Sequence, residues 1–161
     1  MSNQAARDTH STSLPDLIEK LLQQQGIGYQ LRPLEYAGPV AQQVQASLLC
    51  DSLGTVLSLI PKDHLLDLKR LSSLLGRELQ PVRDSELQRI LSKHQLSELP
   101  GLPILFNSPC VCEQALLEQA CLTLDSGLPG WCLQISQDDA KTLMAKASMA
   151  RFSIPLSSLQ N

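Results

Sequence analysis

Aromatic residues are scarce in this chain of 161 residues: one Trp, two Tyr and two Phe, 3% of the total. There is no surplus of positive charge either, since 13 Lys and Arg face 16 Asp and Glu for a net charge of −3. A protein that holds nucleic acid by bulk electrostatics and base stacking needs a basic face and exposed rings. The composition excludes that class but not a local basic patch. No apolar run approaches the roughly 18 residues of a membrane span, and the polar opening MSNQAARDTHSTS has no apolar core for a signal peptide. A cytoplasmic protein with no membrane partner is expected.

The usual catalytic signatures are also missing. The chain contains no G-x-S-x-G, no H-E-x-x-H and no G-x-x-x-x-G-K-[ST], so serine hydrolase, zincin and P-loop chemistries lack their motifs. The three histidines, His10, His64 and His94, fall on a polar arm, a turn and a helix end. Five cysteines without an export signal are read as reduced thiols with no structural disulfide. Cys110 and Cys112 alternate onto one side of an expected strand, with Cys121 and Cys132 on neighbouring strands. They lack C-x-x-C geometry and a nearby histidine, so buried, inert thiols are expected, with no metal and no cofactor.

What the chain does contain is strongly periodic apolar sequence. Residues 1–12 read as a disordered arm, 13–150 as one folded domain and 151–161 as a C-terminal tail or connector. Ser13 is expected to cap a helix whose Leu17, Ile18, Leu21 and Leu22 share a face, ended by Gly26. IGYQLRP alternates as a strand until Pro33. ASLLC and TVLSLIP, separated by DSLG, predict a hairpin turned by Asp51 and Gly54. DHLLDLKRLSSLLG predicts a helix from Asp63 to Gly76, ELQPV a short strand, and SELQRILSKHQL a second amphipathic helix. PILF, CVC, CLTLD and WCLQI read as short strands, QDDAKTLMAKAS as the last helix, and RFSIPLSSLQN as a tail whose apolar residues need a partner surface. Strands and helices do not alternate one for one, which favours a mixed α+β domain over a doubly wound parallel sheet.

Two features have both a functional and a plain reading. Seven basic residues between Lys62 and Lys93, against five acids, make either a phosphate-contacting rim or an ordinary solvated helix face. LPGLP, Leu99 to Pro103, is either a rigid loop offering backbone N–H groups to a small ligand or a simple turn.

The stretch IPKDHLLDLKRLSSLLGRELQPVRDSEL resembles the YbaK and prolyl-tRNA synthetase-associated editing domains, in which an apolar strand leads into an LDLKKL…LG helix, a short strand and an acidic helix start. The likeness extends outward through LIEKLLQQQGIGYQLRPLEY, SPCVCEQALLEQACLTLDSG and GLPGWCLQISQDDAKTLM, covering residues 14–147. It implies an α+β fold around a mixed, partly barrel-like sheet. The implied activity is hydrolysis of the ester that joins a wrong amino acid to tRNA, often alanine or cysteine on proline tRNA. Such an ester is already activated, so a small pocket, a placed water and groups that polarise the carbonyl suffice.

Position by position, the resemblance places the family's lysine on Gln45 and an aspartate on Cys132, the two candidate catalytic positions. The family's glycine-rich loop is reduced to PGLP, leaving Gly101 and Pro103, its tyrosine falls on Leu34 with Tyr36 two residues on, and a second aspartate becomes Glu113. These five are the candidate substrate contacts. Loss of the cation at a reacting centre costs several kcal/mol, a rate factor of about a thousand. The expectation is therefore an aminoacyl-tRNA deacylase-family domain with largely substituted catalytic positions, a pseudoenzyme in the limit, with tRNA or a small amino-acid-like ligand as partner. The alternative is a non-catalytic ligand-binding or regulatory module. Related domains are fused ahead of HDOD signalling domains, and the C-terminal tail is the expected contact with a partner domain or protein.

Overall fold

The computed structural model describes residues 14–103 and 108–159. The expected arm, the Ser13 cap and most of PILF lie outside the described residues. The chain opens with α1 (Asp16–Gln25), closed by Gly26 in the left-handed region at φ 68°, and continues into β1 (Gln30–Pro33). Two 3-10 turns, Leu34–Tyr36 and Val40–Gln42, lead to the hairpin β2 (Val44–Asp51) and β3 (Gly54–Pro61). Then come β4 (His64–Leu66), α2 (Leu68–Leu75), β5 (Gln80–Pro81) and α3 (Asp84–Lys93). The second half comprises β6 (Cys110–Glu113), β7 (Cys121–Asp125), β8 (Trp131–Ser136), α4 (Gln137–Met144), β9 (Ser148–Ala150) and β10 (Ser153–Pro155).

The α+β reading holds: among the described residues the strands form three sheets, none of them closed into a full barrel. The largest has the order β5-β2-β3-β6-β9, the second β1-β8-β7, and β10 pairs with β4 alone. Closure would need ladders along every edge. Instead β5 covers only Leu49 and Cys50 of β2, and the rest of that edge meets β7 through a single parallel bridge, Gln43 to Thr123.

The β2–β3 hairpin forms where Asp51 and Gly54 predict it. The Leu53 N–H donates to Asp51 Oδ1 at 2.8 Å, and Gly54 adopts φ 135°, which a side chain would strain. Arg77, just beyond α2, locks the turn by donating Nε to Asp51 Oδ2 at 2.8 Å and Nη2 to Oδ1 at 2.6 Å. The hydrogen bond from Arg77 holds the Asp51 carboxyl down at about 2.

β3 lies at the centre of the large sheet and is buried on both faces, which accounts for its unbroken apolar run. On one face Val44, Leu48, Leu57 and Leu59 pack with Ile18 and Leu22 of α1, Leu143 of α4, and Leu124 and Leu133 of the second sheet. On the other, Leu49, Val56, Ile60 and Val111 pack with Leu71 of α2, Leu79 and Phe152.

Three expectations shift. The helix expected from Asp63 begins at Leu68, because Asp67 caps it through the Arg70 N–H at 3.0 Å and HLL is drawn into a strand by β10. The last helix stops at Met144, and Ser148–Ala150 instead adds a parallel strand to the β6 edge. The C-terminal segment finds its partner surface within the domain: Phe152 is fully buried, and Ser153–Pro155 pair with His64–Leu66. All five cysteines are free; burial raises the Cys110 thiol to about 12 and raises Cys112 as well, so both stay protonated. Among the described residues no three His, Cys, Asp or Glu side chains gather to hold a metal, and no helix is long and apolar enough to cross a membrane.

Candidate functional site

The bridge between Gln43 and Thr123 sets β2 and β7 side by side, running in the same direction. Side chains alternate across a strand, so their faces can be followed outward from this point. Val44 and Leu124 turn toward the core, where both approach the α-carbon of Gly101: a Cβ there would lie 3.2 Å from Val44 and 3.6 Å from Leu124. The next residues, Gln45 and Asp125, therefore turn to the opposite face. There Gln45 is exposed, and Asp125 stands directly across from Cys132 of β8, which in turn pairs with Arg32 of β1.

This face gathers unlike charges. Lys62, just beyond Pro61, has its backbone N–H fixed to the Gln43 carbonyl at 2.9 Å and extends its ammonium to 3.7 Å from Asp125 Oδ1. Arg32 is held by Gln134 Oε1 at 2.9 Å. Burial raises the Asp125 carboxyl above the usual range, and the Lys62 charge only partly opposes it. Glu98 is raised too, by burial and then by the charge of Asp125, which places it in the same field. Burial also raises the Cys132 thiol, against the pull of Arg32 and Lys62. Its sulfur points to the Arg32 carbonyl at 3.6 Å as a neutral weak donor, not as a thiolate nucleophile.

The chain from Pro33 to Gln43 forms the rim. The Leu34 N–H donates to the Gly130 carbonyl at 2.9 Å, and Thr123 Oγ1 donates to the Ala37 carbonyl at 2.8 Å, which fixes this segment beside the face. Leu34, Tyr36 and Val40 remain about half exposed along it, at 48%, 58% and 51%. Farther along, Gln134 and Cys121 join Gly28, Tyr29 and Asp139 in lining a cavity of about 390 Å³.

The turn that follows Asp125 depends on Gly127, which has φ 80° and little room for a side chain: a Cβ would sit 3.0 Å from the Leu96 Cδ2. Gly127→Ala is expected to cost about 1–2 kcal/mol through backbone strain and this contact, measured as a lowered denaturant midpoint at unchanged slope.

Of the sequence candidates, Cys132 stands directly opposite Asp125, Leu34 is tied to Gly130 on the rim with Tyr36 two residues on, and Gln45 follows the bridged residue Gln43 on β2. Gly101 and Pro103 are buried, and the α-carbon of Gly101 faces the core side of the strands. Glu113 lies elsewhere, in β6, with its carboxylate committed to the backbone of Phe152 and Ser153. Sequence reasoning missed Lys62 as a site residue, counting it only among the basic residues of the helical region, and missed Asp125, Glu98 and Arg32. A lysine immediately after a strand-ending proline was the available signal for Lys62.

Solved structures share this fold. A candidate signal transduction protein from Marinobacter aquaeolei VT8 is similar at 27% identity and TM-score 0.81, over 88% of this chain and 31% of that one, so the chain spans about a third of its length. A candidate trans-editing enzyme for prolyl tRNA synthetase matches at 18% identity and TM-score 0.67, over 87% of this chain and 98% of that one. The hypothetical protein APE2540 matches at 19% identity and TM-score 0.70, over 86% and 99%. These last two likenesses are of fold. No curated protein matches by sequence. The family profile described as the aminoacyl-tRNA editing domain matches residues 34–143, from the rim through β2, β7 and β8 into α4. By that match, over more than half of its length, the chain belongs to the aminoacyl-tRNA editing domain family.

Proposed function

We propose that this protein hydrolyses the ester that joins an amino acid to mischarged tRNA, acting in the cytoplasm. The observation that carries the reading is the extent of the family match, which runs from residue 34 to 143 and so spans Gln45, Lys62, Asp125 and Cys132. An aminoacyl ester needs its carbonyl polarised and a water brought into line, and a half-exposed face with one ammonium and partly buried carboxylates suits that task. Leu34 and Tyr36 at the rim offer apolar and ring surface for the amino-acid side chain or the terminal base.

The test is deacylation of a panel of mischarged tRNAs by the purified protein. Turnover at least about a hundredfold above spontaneous hydrolysis is expected for one or more of them; absence of turnover across the panel defeats the reading. Gln45 is a neutral, exposed amide. Gln45→Ala is expected to lower kcat/KM by less than about tenfold, the worth of one hydrogen bond.

A second reading is supported by the similarity to about a third of a candidate signal transduction protein. Under it the domain is a non-catalytic module that senses an amino-acid-like ligand for a partner domain. Saturable binding of such a ligand with no hydrolysis of any tRNA ester would favour it.

A further inference from the structure

Lys62 is set apart from the other basic residues of the described structure. Among the described ion pairs the rest are made by arginine or by His64, whereas Lys62 alone brings an ammonium, and it brings it to a sheet face rather than to a helix surface. Its backbone is fixed by the Gln43 carbonyl and its side chain is one-third exposed, at 33%, opposite an Asp125 side chain exposed at 27%. At 3.7 Å the two are in ionic contact but are not closed by the 2.7–2.9 Å bond of a tight charge-assisted pair. An ammonium has three donors, so Lys62 keeps donors to offer a third group. Asp125 has the complementary property: a carboxylate partly removed from water, beside Glu98 and the neutral Cys132 thiol, is a better proton acceptor than an exposed one.

We propose that Lys62 and Asp125 are the working pair of this face, Lys62 meeting the ester carbonyl oxygen and Asp125 accepting the proton of the attacking water. The proposal rests on the ester-hydrolysis reading and names the groups that perform it. The water oxygen bonds to the carbonyl carbon as its proton passes to Asp125, and negative charge builds on the carbonyl oxygen beside the Lys62 ammonium. The bond from carbon to the ribose oxygen then breaks, and that oxygen leaves with the proton from Asp125. The products are a free amino acid and a tRNA hydroxyl, Lys62 staying protonated throughout. The positive charge thus enters from the end of β3 rather than from position 45 on β2.

The test compares wild type, Lys62→Met, Lys62→Arg, Asp125→Asn and the exposed control Lys93→Met in single-turnover and steady-state deacylation. It adds binding of an amide-linked, non-hydrolysable aminoacyl-adenosine. Lys62→Met and Asp125→Asn are each expected to lower kcat by about a hundredfold or more. Lys62→Arg is expected to restore a large part of the Lys62→Met loss, and Lys93→Met to stay within threefold of wild type. Melting temperatures should agree within about 3 °C, because a partly exposed pair adds little stability. Asp125→Asn should also remove the rise of rate with pH through the Asp125 titration, a readout that a purely structural aspartate would not move. Wild-type turnover that survives Lys62→Met within threefold overturns the proposal and leaves the family reading standing. Analogue binding without turnover overturns it as well, since the pair is assigned to the chemical step. A wild type that neither turns over nor binds the analogue removes both.

Discussion

Glu113→Ala is expected to lower the free energy of unfolding by about 3 kcal/mol, the cost of leaving buried donors of a charged acceptor without a partner. Glu113 is 1% exposed, and its Oε1 accepts three hydrogen bonds, from the Phe152 N–H at 2.9 Å, the Ser153 N–H at 2.9 Å and Ser153 Oγ at 2.7 Å. Its Oε2 accepts the Ala115 N–H at 3.1 Å and lies 3.9 Å from Arg151. Glu113→Gln keeps one acceptor but turns an amide N–H₂ toward the Ala115 N–H and Arg151. A smaller loss of about 1–2 kcal/mol is expected from it. Urea unfolding monitored by Trp131 fluorescence and far-UV circular dichroism measures both.

The same carboxylate predicts a pH dependence. Burial pushes it upward, but the hydrogen bonds from Ser153, Ala115 and Phe152 outweigh burial, and the folded state holds it below its ordinary 4.5. A carboxyl lowered on folding adds stability that is fully present above the unfolded value and is lost as pH falls through the folded one. Wild-type stability should therefore fall below about pH 4.5, and part of that slope should be absent from Glu113→Gln. An unchanged slope in the variant would assign the acid sensitivity to other groups, with Asp51, held at about 2, the first to examine.

Phe152→Ala is expected to cost about 3–5 kcal/mol, the usual penalty for emptying a large buried aromatic site. The ring is fully buried among Leu49, Val56, Ile60, Leu71, Leu79 and Val111, and the Phe152 carbonyl accepts the Asp67 N–H at 2.9 Å. Against a total stability of about 5–15 kcal/mol for a domain of this size, either variant removes a large share. Both loosen the same segment, so the double variant should cost less than the two losses added, by about 1 kcal/mol or more. Full additivity would show that ring and carboxylate hold independent parts of the fold.

The elements readable from the sequence are those whose signals are local. The β2–β3 hairpin carries its turn chemistry at Asp51 and Gly54, and α2 and α3 carry apolar stripes that need no knowledge of their partners. β4 fails this test because HLL reads equally well as the first turn of a helix. Its strand character comes from Ser153–Pro155, about 90 residues away in sequence. β9 is hidden for the same reason, since Ser148–Ala150 has no alternation and becomes a strand only against β6. The site divides in the same way. Gln45 and Cys132 are candidates through resemblance alone, and of the two the structure pairs Cys132 with Asp125. The Lys62–Asp125 contact joins residues 63 positions apart through a parallel neighbour relation that no spacing along the chain encodes.

The pairing of β10 with β4 also bears on synthesis. A growing chain that has emerged as far as Ala147 possesses the strands β1 to β8 but neither β9 nor β10, so the apolar face formed by Leu49, Val56 and Ile60 lacks Phe152 and remains partly uncovered. Contacts between distant segments form late, and uncovered apolar surface invites aggregation in the interval. The stretch Ser148–Pro155, short and unremarkable in composition, determines when a nascent chain becomes safe from its neighbours.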